Sequence, residues 1–266
     1  MRRTMRVPFI KMHGLGNDFV VLDGRAQPVP AMDSQLATAL ADRKTGIGCD
    51  QLIVLEPSDS ADFRMRIFNA DGGEVESCGN AARAVGLLHG APAQIETLGG
   101  IIASTPVASG ISVDMGAPRF GWDEIPLAYA MDTLAMPVAW DGLESPVAVN
   151  VGNPHAVFFV PDCAAEDLAR LGSEIEHDPL FPERVNVNVA TVVSREAIRL
   201  RVWERGVGET RACGTGACAT AIAAMRRGLT GRRVTVTLEG GDLTIAWRED
   251  GGIEMTGPAT ESFRGT

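Results

Sequence analysis

The sequence predicts an α+β protein of two similar lobes from an internal duplication, each a curved mixed or antiparallel sheet wrapped around one apolar helix. Three observations carry this. RIFNADGGEVESCGNAARA (66–84) and RVWERGVGETRACGTGACA (201–219) read as copies at an offset of 135, aligning Arg66 with Arg201, Glu74 with Glu209, Cys78 with Cys213 and Gly79 with Gly214. Each copy is flanked by β-branched runs punctuated by Gly-Asn and Gly-Gly steps, the signature of strands and tight turns. The middle of each copy is a helix without a polar face, which only surrounding protein can cover. In 266 residues a repeat of this period makes two ordinary domains, not a solenoid.

The elements follow in order. GLGNDFVVLD (14–23) and NVGNPHAVFFV (150–160) pair Gly16-Asn17 with Gly152-Asn153 at an offset of 136, each a turn followed by a strand. Helices are expected next over Asp33–Ala41 and Ala164–Leu171, where acidic or small residues open runs with leucines about four apart. The central helices span Asn80–Leu88 and Thr215–Met225, with Arg83 their only charge. His89-Gly90 and Arg226-Arg227-Gly228 supply last-turn cations and a glycine stop. Hairpins at Gly99-Gly100 and Gly240-Gly241 fall at an offset of 141, so the second copy gains six residues after its helix. ISVDMGAP and IEMTGPA then align Gly116 with Gly257. Residues 121–144, rich in Pro, Asp and Met, have no counterpart in the first copy. The boundary is expected near Phe120: a lobe of residues 1–120 carrying Cys78, a lobe of 121–266 carrying Cys213, and the tail after about 258 packing on the first.

Composition narrows the function. With 24 Lys and Arg against 34 Asp and Glu, the net charge of −10 has the wrong sign for a nucleic-acid binder. No segment approaches the roughly 18 apolar residues of a membrane span, and Arg2, Arg3 and Arg6 precede no signal-like apolar run. Five cysteines without a dense framework fit a reducing compartment, so a cytoplasmic location is expected.

A lone cysteine is usually a small buried hydrophobe, the reading given to Cys49, Cys163 and Cys218. Cys78 and Cys213 differ because they are equivalent and each precedes a helix, whose first N–H groups and dipole favour a thiolate nearer neutral pH. The N–H groups of Gly79, Asn80, Gly214 and Thr215 can hold a carboxylate. Two thiols on opposite sides of one α-carbon, in a cleft between the lobes, would invert it: one removes the proton and the other returns one. The cysteines alone leave other readings open. A zinc site lacks regularly spaced ligands, a redox pair lacks Cys-x-x-Cys, and a purely structural role or a non-catalytic amino-acid binder needs neither.

Six ordered blocks add a family likeness: FIKMHGLGNDFVVLD (9–23), TGIGCDQLIVLE (45–56), FNADGGEVESCGN (68–80), GNPHAVFFV (152–160), ERVNVNV (183–189) and VWERGVGETRACGTGACA (202–219). Over nearly its whole length the chain resembles diaminopimelate epimerase. The resemblance implies a cofactor-independent isomerase with Cys78 and Cys213 as its acid/base thiols, interconverting LL- and meso-2,6-diaminopimelate for lysine and peptidoglycan synthesis. It implies that Asn17, Asn69, Asn153, Asn186 and Arg205 hold the non-reacting end of the substrate and that Gln51 lines the same pocket. Glu204 would meet an ammonium or assist Cys213, and His155 would assist beside Cys78. A homodimer is implied by the family alone, and no metal is called for. The chain departs from the commoner pattern at Ala81, Ala84 and Cys49. A racemase of histidine, proline or hydroxyproline on the same fold is the nearest alternative; Ser77-Cys78-Gly79-Asn80 lacks the Met-Cys-Gly-His of proline-type relatives.

Overall fold

The computed structural model describes residues 6–76 and 78–266; Ser77 of the comparison above lies outside them. The chain forms two units, Met1–Val113 with Gly257–Thr266, and Asp114–Thr256.

In the first unit, β1 (Phe9–Gly14) and β2 (Asn17–Asp23) form a hairpin whose turn residues Leu15 and Gly16 have φ of 60° and 94°. Glycine meets that requirement at no steric cost. Helix α1 (Ser34–Ala41) is capped by Asp33, which accepts the Leu36 N–H at 2.8 Å. It leads to β3 (Gln51–Glu56), parallel to β2, then β4 (Phe63–Asn69), antiparallel to β3, and the short β5 (Glu74–Val75). Helix α2 (Gly79–His89) ends at Gly90 with φ 76°. Strands β6 (Ala93–Thr97), β7 (Gly100–Val107) and β8 (Gly110–Asp114) complete the sheet, β6 lying parallel to β4.

In the second unit the short β9 (Ala139–Trp140) and β10 (Leu143–Glu144) pair with each other. The main sheet then repeats the first. Strands β11 (Val147–Asn150) and β12 (Pro154–Phe159) form the hairpin, and α3 (Leu168–Glu176) leads to β13 (Asn186–Ser194). Next come β14 (Ala197–Glu204), β15 (Gly208–Thr210) and α4 (Gly214–Arg226). Strands β16 (Arg233–Leu238), β17 (Gly241–Trp247) and β18 (Ile253–Gly257) close it. The pairings have the same senses in the same order: β12 with β13 and β14 with β16 are parallel, the rest antiparallel. The last strand, β19 (Thr260–Gly265), joins β1 in the first unit.

The α+β duplication is thus observed strand for strand. Helix α2 packs on β1, β6, β7 and β19, and α4 on β11 to β14, β16 and β17. Their apolar composition follows from that enclosure: ten residues of α4 are buried, and Arg83 of α2, wholly buried, donates its Nε–H to the Pro258 carbonyl at 3.2 Å. Burying a guanidinium requires such partners.

Two boundaries differ from expectation. The units part after Val113, not near Phe120, because residues 115–119 are bonded into the second sheet. Met115 donates to Ile253 O at 2.9 Å, Ile253 to Gly116 O at 2.8 Å, and Arg119 exchanges backbone bonds with Asn150 at 2.8 and 3.0 Å. The helix expected over Ala164–Leu171 is split. A 3-10 turn, Cys163–Ala165, is capped by Asp162, Glu166 is extended at ψ 138°, and a second acidic cap, Asp167, starts α3 at Leu168. The stretch without a counterpart contributes Ile125, Leu127, Met136 and Trp140 to a core beneath α3 with Leu168, Leu171, Ile175 and Phe158.

Candidate active site

Each cysteine singled out by the repeat is the N-cap of a central helix. Cys78 has φ −150° and ψ 112°, and its Sγ accepts the Ala81 N–H at 3.5 Å. Cys213 has φ −131° and ψ 111°, and its Sγ accepts the Gly216 N–H at 3.3 Å. A sulfur thereby takes the place of the usual Ser or Asp oxygen, and negative charge on it would be met by the helix dipole. Hairpins β4–β5 and β14–β15, which feed the two cysteines, carry the same bidentate pair. Arg66 grips Glu74 with Nε and Nη2, both at 2.8 Å, and Arg201 grips Glu209 at 2.7 and 3.1 Å.

In the first unit a chain of polar side chains starts from α2. Asn80, buried, donates to Asn17 Oδ1 at 3.2 Å, and Asn17 donates to Asp50 at 3.1 Å. Asp50 also accepts the Asp18 N–H at 3.0 Å, Asp18 returns the favour to the Asp50 N–H at 3.1 Å, and Arg43 bridges both carboxylates at 2.6 and 2.7 Å. Burial pushes the Asp18 carboxyl up, but bonds from Arg43 and Lys11 outweigh it and hold Asp18 well below the usual carboxylate range. Gln51 and Asn69 face one another in the β3–β4 register, Nε2 to Oδ1 at 3.0 Å. The buried Gln51 Oε1 has no partner among the described residues, and so offers an acceptor.

In the second unit Cys213 is 4% exposed and touches Thr215 Oγ1 at 3.5 Å. Burial pushes its thiol well above the ordinary range, and the neighbouring Glu204 carboxylate, within hydrogen-bonding contact, pushes the same way; bonds from Thr215 and Gly216 pull against them and lose. The sequence expectation of a thiol brought toward neutrality by its helix is therefore corrected for Cys213, because desolvation and a negative neighbour prevail over the hydrogen bonds that the helix start supplies. Glu204 also accepts a hydrogen bond from the Thr210 hydroxyl. Arg205 is exposed; its backbone N–H donates to Asn186 Oδ1 at 2.9 Å and its Nη1 to Glu183 O at 2.9 Å. Asn186 spends its other end on Pro154 O at 2.8 Å. His155, fully buried, lies between Asn153 Oδ1 and Asn188 Nδ2, each at 2.9 Å. Burial, with Arg205's charge acting the same way, takes its pKa down to about 3, so the ring is neutral.

The first unit therefore collects Asn17, Gln51, Asn69, Cys78, Gly79 and Asn80, and the second Asn153, His155, Asn186, Glu204, Arg205, Cys213, Gly214 and Thr215. Sequence reasoning missed two supports. Glu176, 2% exposed, accepts Trp203 Nε1–H at 2.8 Å and Gly206 N–H at 2.9 Å, bracketing Glu204 and Arg205. Its one sequence signal is a carboxylate in the last turn of a helix, where the dipole disfavours it. Asn188 shares a face of β13 with Asn186, as the alternation NVNV requires. Cys49, Cys163 and Cys218 are buried, and burial pushes the Cys49 thiol up to about 11. Among the described residues no His, Cys, Asp and Glu cluster could hold a metal, and no helix is long and apolar enough to cross a membrane.

Two repeated α+β units, each presenting a cysteine that caps its central helix, define the class of fold. Solved structures share it: a hydroxyproline epimerase from Agrobacterium vitis (16% identity, TM-score 0.67, 100% of this chain and 92% of that one) and a phenazine biosynthesis protein of the PhzF family from Enterococcus faecalis (15%, 0.73, 98% of each). The diaminopimelate epimerase family model matches residues 9–121 and 147–261. Diaminopimelate epimerases of Erythrobacter litoralis and Rhizorhabdus wittichii are 70% and 64% identical, over 98% and 97% of this chain and 97% and 94% of theirs. The chain belongs to the diaminopimelate epimerase family.

Proposed function

We propose that the chain epimerises LL-2,6-diaminopimelate to the meso form, a step toward lysine and peptidoglycan precursors, with Cys78 and Cys213 as the two acid/base groups serving one α-carbon. The observation that carries it is the equivalence of the two thiols, each capping a helix whose next N–H groups can hold the α-carboxylate. In the forward step one thiolate takes the α-proton. The electron pair left on carbon spreads into the carboxylate, where the helix N–H groups stabilise it, and the opposite thiol delivers its proton to the other face. Burial and the Glu204 carboxylate both push the Cys213 thiol up, which favours its protonated form.

The distal end of the substrate is a second zwitterion. Arg205 supplies a guanidinium for its carboxylate, and Gln51 Oε1 an acceptor for an ammonium. A pyrrolidine ring would leave both unused, which favours diaminopimelate over proline-type substrates. A neutral His155 fits positioning better than proton donation. The thiols fit a reducing, cytoplasmic setting, and a homodimer is the family expectation.

The test is α-proton exchange in heavy water under reducing conditions, with LL-diaminopimelate and L-histidine as competing substrates. Cys78→Ser and Cys213→Ser should each lower exchange by about 10²–10⁴-fold. Wild-type exchange in both would end the two-thiol reading, and turnover of histidine alone would end the substrate assignment.

A further inference from the structure

Asn188 belongs to none of the groups that would touch substrate, yet its side chain is fully buried in β13 and directed at His155. Its amide has one orientation that fits. Nδ2 stands 2.9 Å from His155 Nδ1 and 3.5 Å from the Ala156 carbonyl. A backbone carbonyl can only accept, so the group between these two atoms must be the NH₂. The imidazole Nδ1 must then be the unprotonated nitrogen, and the proton of the neutral ring sits on Nε2. At 2.9 Å from Nε2 lies Asn153 Oδ1, which accepts that proton's hydrogen bond. Asn153 is left with its own NH₂ to present.

We infer that Asn188 is a positioning residue: it locks His155 in the Nε2–H tautomer and, through that ring, fixes Asn153 as a donor, so that Asn153 recognises a carboxylate and not an ammonium of the substrate. The inference rests on the amino-acid substrate proposed above and assigns its polarity at one position. The lock has a cost that the structure displays. Turning Nδ2 toward His155 leaves Asn188 Oδ1 buried with no partner among the described residues. The space around that oxygen is closed by Gly216, where an added Cβ would come within 2.9 Å of it. The first turn of the Cys213 helix therefore abuts the amide that sets the tautomer. The chain runs on neutral groups throughout, so the direction of each hydrogen bond, not charge, carries the information.

The decisive measurement is the nitrogen-15 spectrum of His155, one of four histidines, in the intact enzyme without substrate. Nδ1 should resonate as an unprotonated ring nitrogen and Nε2 as a protonated one; a protonated Nδ1 overturns the inference. This readout needs no turnover, so an enzyme inactive on diaminopimelate but holding the Nε2–H tautomer would sink the functional reading and leave this one standing. Asn188→Asp replaces the donor with an acceptor and should draw the proton to Nδ1. Should that variant fail to fold, Asn188→Leu removes the donor and should shift the Nδ1 resonance. In the variant that folds, KM should rise on the order of tenfold, the weight of one misdirected hydrogen bond, while kcat falls less. An unchanged KM there, with the ring signals altered, overturns the link to Asn153.

Discussion

Replacing Glu176 by Gln changes one oxygen into an NH₂ with almost no change in volume, and the structure says which bonds that disturbs. The two carboxylate oxygens each serve one donor: Oε2 takes the Trp203 indole N–H at 2.8 Å and Oε1 the Gly206 amide at 2.9 Å. Burial pushes this carboxyl up, but the bonds from Trp203 and Gly206 outweigh it and keep Glu176 below the ordinary range, so it is the ionised form that is held. A glutamine can satisfy one donor and must turn its own NH₂ on the other. One buried donor left facing a donor costs about 1–3 kcal/mol. The loss of the Arg184 ion pair, 3.5 Å long with the arginine side chain 54% exposed, adds less than about 1 kcal/mol. Urea unfolding should therefore show the midpoint falling by an amount equivalent to roughly 1–4 kcal/mol at constant slope. Because the two donors flank Glu204 and Arg205, kcat/KM should drop on the order of tenfold as well. Adding Trp203→Phe removes the opposed donor and should recover part of both losses. Stability within about 0.5 kcal/mol of wild type together with full kcat/KM would refute the reasoning, since half a kcal/mol is what an ordinary surface change produces.

Glu204→Gln removes a negative neighbour that pushes the Cys213 thiol up, so alkylation of Cys213 by iodoacetamide should reach half its maximal rate at a lower pH than in wild type; an unshifted profile would remove Glu204 as a cause. His155 is held near pKa 3 against 6.5 for an ordinary histidine, so the unfolded chain binds a proton that the folded chain refuses. Stability contributed here is complete above pH 6.5 and declines as pH falls toward 3, by about 2 kcal/mol at pH 5; His155→Phe should flatten that part of a stability-versus-pH curve, and an unaltered slope would contradict the burial. Gly216→Ala gains about 1 kcal/mol of helix propensity but places a Cβ 2.9 Å from Asn188 Oδ1 and 3.0 Å from Val202 Cγ2. Overpacking of about 1–3 kcal/mol should win, lowering the melting temperature, whereas a rise would show that the strand yields.

Much of this was legible because the repeat is written in backbone chemistry. Gly16, Gly100 and Gly241 occupy positive φ at turns, and the helices of Cys78 and Cys213 end at glycines or cations. The cysteines were legible as a pair only through the offset they share. Glu176 and Asn188 were not, because a single polar residue on an apolar helix or strand gives no hint of which distant donor it will meet. The Cys213 thiol was misjudged for a related reason. The dipole that lowers its pKa is local and visible in the sequence, while the burial that raises it depends on the packing of α4 against six strands.

The bidentate Arg66–Glu74 and Arg201–Glu209 pairs have kept the same geometry in both copies, while between their members in sequence the copies part: Asn69 and Ala70 stand where the second copy has Glu204 and Arg205. In an assembly of two identical half-length chains, every substitution would be made twice. Joining the halves in one chain lets a single position change alone, so the two copies can keep a common frame and still differ in the side chains that it carries.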